Sequence, residues 1–237
     1  MIFGAILAGG IGSRMDGADM PKQFLPLKDK PIIIHTLERF LLCERFEQLY
    51  VGVHADWIDY MNSLINQYLP NDKSKITVTL GGENRNETVL NIVHAIEYTN
   101  GTSQDHIIVA HDAARPFLTL RMIEENIDAA LTYGAADTVF PAIDTIIVSE
   151  DGQQISNIPD RKHMYQGQTP QSFQVSTLKK LYYSLSEEEK TCLTDSCQIY
   201  VKQDYPVHLV QGSVTNIKIT TQADYKMAQA LAKEGIL

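Results

Sequence analysis

The sequence predicts an α/β fold: a mostly parallel sheet covered by helices on both faces, with a β-arm projecting from it. Three observations lead there. Short apolar runs recur along the 237 residues. Between most of them lie stretches with three- and four-residue apolar spacing, the period of an amphipathic helix. One segment, 141–161, breaks the alternation with a hairpin signal. Alternating strand and helix argues for parallel neighbours, because a parallel connection needs a crossover that a helix supplies.

In chain order, Ile2–Leu7 reads as a buried strand that feeds a glycine-rich turn. Pro31 begins the first helical pattern, with Ile33, Ile34, Leu37, Phe40 and Leu41 on one side. Gln48–Val53 is the next strand, followed by a helix marked by Ile58, Met61, Leu64, Ile65 and Tyr68. Ile76–Leu80 follows, then a helix with Val89, Ile92, Val93 and Ile96. His106–Ala110 is a fourth strand, and Met122, Ile123, Ile127 and Ala130 mark the helix after it. Thr138–Pro141 and His208–Val210 complete the strand-like runs. Asp144–Val148 and Gln153–Ile158 flank Asp151-Gly152, and Asp-Gly between two extended runs marks a hairpin. It is either an ordinary surface hairpin or a dimerisation arm. No repeat, low-complexity tract or linker divides the chain, so 1–237 reads as a single Rossmann-like domain carrying an arm at about 141–161. Ligands of such sheets bind at the carboxyl ends of the strands. Chemistry is therefore expected in the loops after the first, third and fourth strands.

Composition narrows the function class. Hydrophobic residues make up 44% and charged ones 21%, the balance of a soluble globular protein. A formal net charge of −9 argues against a general nucleic-acid surface. The start of the chain reads as a strand with no basic leader, and no apolar stretch is long enough to span a bilayer. The expectation is a cytoplasmic protein with no membrane contact. Cys43, Cys192 and Cys197 form no C-x-x-C pair and read as reduced, structural thiols.

The most informative stretch is Leu7-Ala8-Gly9-Gly10-Ile11-Gly12-Ser13-Arg14-Met15, followed by Pro21-Lys22-Gln23-Phe24-Leu25. Glycines let the backbone approach a ligand closely and present its N–H groups. Those donors suit phosphate, and Arg14 and Lys22 suit charge that grows during phosphoryl chemistry. Two commoner glycine loops are ruled out by spacing. The dinucleotide fingerprint needs glycine where Met15 stands, and the P-loop needs lysine where Ala18 stands. A bland turn is the alternative. A nucleotide triphosphate on the first-strand loop is the reading that absorbs both cations.

Three further constellations follow. Gly81-Gly82-Glu83-Asn84-Arg85-Asn86-Glu87-Thr88 joins paired glycines to a helix start, a place for anions or for the polar edge of a base. The alternative is a plain helix entry with Asn84 or Asn86 as its cap. His111-Asp112-Ala113-Ala114-Arg115-Pro116 places Asp112 at a strand's carboxyl end, where it can hold Mg²⁺ bridging phosphate oxygens. Arg115 suits a second phosphate, unless the two simply form a turn ion pair; His111 reads as structural. Late in the chain stand Asp160-Arg161, Gln166-Gly167-Gln168-Thr169-Pro170-Gln171, Thr194-Asp195 and Asn216-Ile217-Lys218-Ile219-Thr220. Arg161 and Lys218 are the cations to watch, and Asp195 suits a helix cap.

Taken together these stations resemble the sugar-alcohol phosphate cytidylyltransferases, end to end. The family has a 2-C-methyl-D-erythritol 4-phosphate branch and a D-ribitol 5-phosphate branch. Val51-Gly52-Val53-His54-Ala55-Asp56-Trp57, Leu120-Arg121-Met122-Ile123, Tyr165 to Gln171 and the opening Leu7-Ala8-Gly9-Gly10 are similar to the ribitol branch. Asp112-Ala113-Ala114-Arg115 departs from it towards the erythritol branch.

The resemblance implies transfer of CMP from CTP to the phosphate of a polyol phosphate, releasing pyrophosphate. In the ribitol branch the product is CDP-ribitol, a precursor of teichoic acid-type wall polymers. It implies that Leu7, Ala8, Gly9 and Gly10 cradle the phosphates and sugar of CTP, and that 81–88 hold mainly the cytosine. Arg14 and Lys22 would stabilise the transition state. Arg161 and Lys218 would position the sugar phosphate, Asp112 would lie beside Mg²⁺ and the α-phosphate, and Ala113 would line the nucleotide site. It also implies a homodimer whose arm crosses to the neighbour, so that Thr145 and Arg161 complete the other subunit's site. A reductase supplying the polyol phosphate is a candidate partner. Rival readings are a nucleotide-binding regulatory module without catalysis and a nicotinamide dehydrogenase; the cations at 14, 22, 161 and 218 oppose the first and Met15 the second.

Overall fold

A computed structural model describes residues 1–10, 20–104 and 106–237. Arg14 lies outside the described residues. A seven-stranded sheet runs through the centre in the order β5-β4-β1-β6-β8-β7-β9. Its strands are β1 (Ile2–Ala8), β4 (Gln48–Val53), β5 (Ile76–Leu80), β6 (Ile107–Asp112), β7 (Ala135–Pro141), β8 (Tyr165–Gln174) and β9 (His208–Gln211). Two short strands, β2 (Pro26–Leu27) and β3 (Lys30–Pro31), form a separate hairpin. β5, β4, β1 and β6 are mutually parallel, and β7 and β9 are parallel to each other. β8 runs antiparallel to both of its neighbours, β6 and β7.

β8 was not expected from the sequence, where 165–171 reads as polar and carries Pro170. A central strand normally excludes proline, which lacks a ladder donor. Here the β7–β8 register shifts between Asp137 and Val139, and this irregularity accommodates the Thr169-Pro170 segment, whose peptide bond is cis.

Strand alternation sends side chains to two cores. Ile6, Ala8, Leu49, Val51, Val53, Ile107 and Val109 face α1 (Ile32–Leu41), α2 (Ile58–Tyr68) and α4 (Leu120–Tyr133). Phe3, Ala5, Tyr50, Ile108, Ala110 and Phe173 face α3 (Arg85–Asn100), α5 (Val175–Ser184) and α7 (Cys197–Val201). The period of two in the strands and of 3.6 in the helices explains why both faces are covered. A short helix α6 (Glu187–Thr191) links α5 to α7. The last helix, α8 (Gln222–Lys233), packs with Ile219 on Leu27, Ile32 and Phe117 in a third cluster. This brings the 213–220 loop alongside the end of β6.

Residues 142–160 leave the sheet after β7 and return at β8. Within them Val148 and Asn157 form an isolated antiparallel bridge, and Gly152 takes the turn at φ +71°. Asp151 closes that turn by accepting the N–H groups of Gln153 and Gln154. Ile143, Ile147, Val148, Ile155 and Ile158 on this segment are exposed. Cys43 and Cys197 are buried free thiols, whereas the free thiol Cys192, read from the sequence as structural too, is exposed. Among the described residues no helix is long and apolar enough to cross a membrane.

Candidate active site

A cleft of about 660 Å³ opens at the carboxyl ends of β1, β4, β5 and β6. Leu7, Ala8, Gly9 and Gly10 form one wall; Gly81, Gly82, Glu83, Asn84, Arg85 and Thr88 form the opposite one. Asp112 and Ala113 make the floor, and Lys22 and Lys218 approach from the rim. With His54 and Ala55 after β4, the cleft collects residues from six separate segments, most of them named from the sequence.

The two glycine walls meet closely, and this is why they are glycines. A Cβ on Gly9 would stand 2.9 Å from Thr88 Oγ1, and one on Gly81 would stand 3.3 Å from the Gly9 Cα. A Cβ on Gly82 would overlap Glu87 Cβ at 2.2 Å. Gly10 has open space where its side chain would be, so there the glycine leaves the cleft clear. Thr88 organises the second wall: its hydroxyl accepts from Gly82 N at 3.0 Å and donates to Asn84 O at 2.9 Å. Gln23 organises the first, donating Nε2 to Ala8 O at 2.8 Å and to Gly10 O at 3.0 Å.

At the start of α3 the plain helix entry is realised, with Asn84 rather than Asn86 as its cap. The cap and the loop before it use side chains of this same segment. Asn84 is the N-cap, accepting from Glu87 N at 3.0 Å, and Glu87 Oε2 accepts from Glu83 N at 2.9 Å. Asn86 is buried and accepts from Ser196 Oγ at 2.7 Å, facing away from the cleft. Neither Asn86 nor Glu87 lines the cleft, because each is consumed in holding the loop. Glu83, Asn84, Arg85 and Thr88 do line it.

Asp112 is the electrostatic centre. Oδ1 accepts from Arg85 Nε at 3.2 Å; Oδ2 faces Lys218 Nζ at 2.7 Å and Arg115 Nε at 3.7 Å. Burial by itself would raise this carboxyl, but Arg85, Lys218 and Arg115 together hold it well below the usual carboxylate range. Three cations against Asp112, with Asp195 offsetting part of Arg85, leave a modest local excess of positive charge in a chain of net charge −9. Such an excess is what a polyphosphate needs and what the rest of the surface withholds.

Arg115 was expected on a phosphate. Instead it lies beneath the floor, donating Nη1 to Asn216 O at 2.7 Å, so its charge acts through Asp112 and the 216 loop. The turn ion pair between Asp112 and Arg115 is present as well. Arg85 is held by a second partner, Ser196 Oγ, at 2.7 Å. Asp195 accepts Cys197 N at 2.7 Å in the manner of a cap and accepts Gln171 Nε2 at 2.8 Å.

His111 is fully buried and neutral: burial lowers its pKa to about 4, against the opposing bond to Arg115 O. Arg115 O can only accept, so Nε2 carries the proton and donates to it at 3.0 Å, fixing the tautomer. The unprotonated Nδ1 then accepts from Thr169 Oγ1 at 2.9 Å, and that hydroxyl accepts in turn from Asp112 N at 3.3 Å. His111 is structural, as its setting in the sequence implied.

Thr145 and Arg161 do not line this cleft; Arg161 donates to Ile143 O at 2.7 Å at the base of the arm. Sequence reasoning missed His54, Ala55, Leu80, Ala114 and Thr220, which line the cleft, and gave no role to Gln23. His54 and Ala55 follow β4, so the carboxyl-end rule applied to every parallel strand would have found them.

For Mg²⁺ the donor set is small. Among the described residues no group of three His, Cys, Asp or Glu side chains could hold a metal. Two carboxylates line the cleft, Asp112 and Glu83, within the one or two this ion takes from protein before substrate phosphates and water complete its shell. Both Asp112 oxygens already face cations, so a bound Mg²⁺ would have to displace or share Oδ2 with the half-exposed Lys218 ammonium.

A family model described as 2-C-methyl-D-erythritol 4-phosphate cytidylyltransferase matches residues 2–234. Solved structures align over nearly the whole chain. A 4-diphosphocytidyl-2C-methyl-D-erythritol synthase from Anaerococcus prevotii is 24% identical with a TM-score of 0.81, over 98% of this chain and 96% of that one. A 2-C-methyl-D-erythritol 4-phosphate cytidylyltransferase from Francisella tularensis is 26% identical with a TM-score of 0.77, over 97% and 98%. The enzyme of that name from Thermus thermophilus is 25% identical with a TM-score of 0.74, over 98% and 100%.

Proposed function

Because the chain belongs to the 2-C-methyl-D-erythritol 4-phosphate cytidylyltransferase (IspD) family of nucleotidyltransferases, we propose that its cleft binds CTP beside a phosphorylated sugar alcohol and joins CMP to that phosphate. The observation that carries this reading is the convergence of Arg85, Arg115 and Lys218 on Asp112 at the floor of a glycine-walled cleft. A phosphate oxygen of the acceptor attacks the α-phosphorus of CTP, and the bond to pyrophosphate breaks. The attacking phosphate is already ionised at neutral pH, so neither a strong general base nor a covalent enzyme intermediate is needed. The work lies in bringing two polyanions together and stabilising charge at the α-phosphorus. Lys22 and Arg14 are assigned to the α-phosphate, and Lys218 to the acceptor phosphate. Asp112 is assigned to Mg²⁺, which when bound neutralises triphosphate oxygens.

For the acceptor we propose D-ribitol 5-phosphate, giving CDP-ribitol. The segments at 51–57, 120–123 and 165–171 support it. 2-C-methyl-D-erythritol 4-phosphate is the second reading, and the names of the family model and of the solved relatives favour it. Pyrophosphate release measured with CTP, Mg²⁺ and each acceptor in turn separates them. Turnover on ribitol phosphate alone supports the first, turnover on methylerythritol phosphate alone replaces it, and turnover on neither removes both.

The exposed apolar side chains of 142–160 are assigned to a second copy of the chain, with Thr145 and Arg161 reaching that copy's cleft. A monomer in sedimentation at micromolar concentration would remove this assignment. A reductase that supplies the acceptor stays a candidate partner, to be sought by co-purification.

A further inference from the structure

The side chain that carries the acceptor phosphate in this reading sits on a loop, and something must hold that loop. Lys218 lies in 213–220, a stretch without helix or strand. Its side chain is half-exposed, yet Nζ is held 2.7 Å from Asp112 Oδ2. Downstream, Ile219 N donates to Ala114 O at 2.9 Å and the Ile219 side chain is fully buried. Upstream, the anchor is Asn216, which has no solvent exposure at all. Asn216 Nδ2 donates to Thr169 O at 2.8 Å and to Gln168 Oε1 at 3.2 Å. Its own carbonyl accepts Arg115 Nη1. Gln168 also grips the start of the loop, donating to Ser213 O at 2.8 Å and accepting from Ser213 N at 3.3 Å. Thr169, meanwhile, holds Asp112 N through its hydroxyl.

We propose that Asn216 is a positioning residue for the transfer: its amide ties the Lys218 loop to Thr169 and Gln168 of β8, the strand that also fixes Asp112. The cation and the carboxylate are thereby referenced to one rigid strand. The idea rests on the assignment of Lys218 to the acceptor phosphate. Both donors of the Asn216 amide are needed, because the two atoms facing it are both acceptors. A small displacement of a positioned group is expensive in a reaction driven by alignment.

The test is a double-mutant cycle on the full-length protein, with pyrophosphate release as readout. Asn216→Asp keeps the size of the side chain but sets an acceptor against two acceptors; Asn216→Ser removes the contact. Each is expected to lower kcat/KM for the acceptor by about 10-fold or more, while KM for CTP changes less than about twofold. In a Lys218→Ala background the same changes are expected to cost less than about twofold, because the side chain they position is gone. Losses that multiply independently in the two backgrounds, or full activity of Asn216→Asp, overturn the proposal. Parent-like activity of Lys218→Ala alone overturns instead the reading of Lys218 on which it stands. If neither Asn216 variant gives a cooperative melt, Gln168→Ala decides. It removes one of the two acceptors, and the same non-additivity with Lys218→Ala is expected at smaller size; additivity there overturns the proposal.

Discussion

Replacing Asp112 by asparagine keeps the shape of the side chain and removes its charge. The Asp112 side chain is 10% exposed, and its partners differ in their access to water. The side chains of Arg85 and Arg115 are 19% and 11% exposed, whereas that of Lys218 is 41% exposed. In the variant Lys218 turns to solvent at little cost. The two guanidiniums stay buried, lose their nearest counter-charge and repel each other, with Asp195 left to Arg85 and Asp137 to Arg115. The amide must also point its NH₂ group at one cation or another. Removing one partner of a buried pair costs about 3–5 kcal/mol. The figure is not multiplied by three, because one of the cations is rehydrated.

For a chain of this length each kcal/mol moves the melting temperature by about 2–4 °C, so a fall of roughly 6–20 °C is expected at neutral pH. The folded carboxyl lies below its unfolded value, so its contribution is complete above about pH 4 and fades only as pH falls beneath that. The deficit should therefore be as large at pH 5 as at pH 7 and shrink in stronger acid. The cleft of the variant is more positive, so metal-free CTP should raise its melting temperature more than it raises the parent's, while turnover falls. Scanning calorimetry with and without CTP reads all of this. A melting temperature within about 2 °C of the parent, with unchanged stabilisation by CTP, would refute the account of the cluster.

Asp137 is pushed up to about 6 by burial, with the Asp195 carboxylate adding to the shift and the Gln171 bond opposing it. Its folded pKa lies above the unfolded one, so stability is lost as pH rises from about 4 through 6; Asp137→Asn should abolish that slope and stabilise the protein at pH 7.5 by up to roughly 3 kcal/mol, read by urea unfolding across pH. Gly82→Ala forces a Cβ against Glu87 and the Thr88 backbone, so about 1–3 kcal/mol of stability and most CTP affinity should go; tight CTP binding by calorimetry would show that the wall has room. Lys22→Ala and Arg14→Ala should each lower kcat by about 10²–10³ with the circular dichroism spectrum intact, and near-parent pyrophosphate release from either would end its catalytic assignment.

Apolar periodicity is a local property, and it placed β1, β4 and β5 to within a residue along with the four helices that follow the parallel strands. The glycine walls were legible for the same reason, since close backbone approach needs glycine whatever lies opposite. β8 was not legible. Its buried Gln168, Thr169, Gln171 and Ser172 have no apolar pattern, and they are hydrogen-bonded by Asn216, Asp137, Asp195 and Asn126 from distant segments.

By itself, then, the sequence determined the layered α/β architecture, the two glycine walls and which cations were available. Only the tertiary structure decided how those cations are used. It set Lys218 on Asp112, turned Arg115 under the floor, and joined Arg85 to Ser196 across 111 positions. The physical reason is that strand and helix follow from neighbours along the chain. Buried charges and amides instead settle wherever folding brings a partner, and no local pattern records where that is.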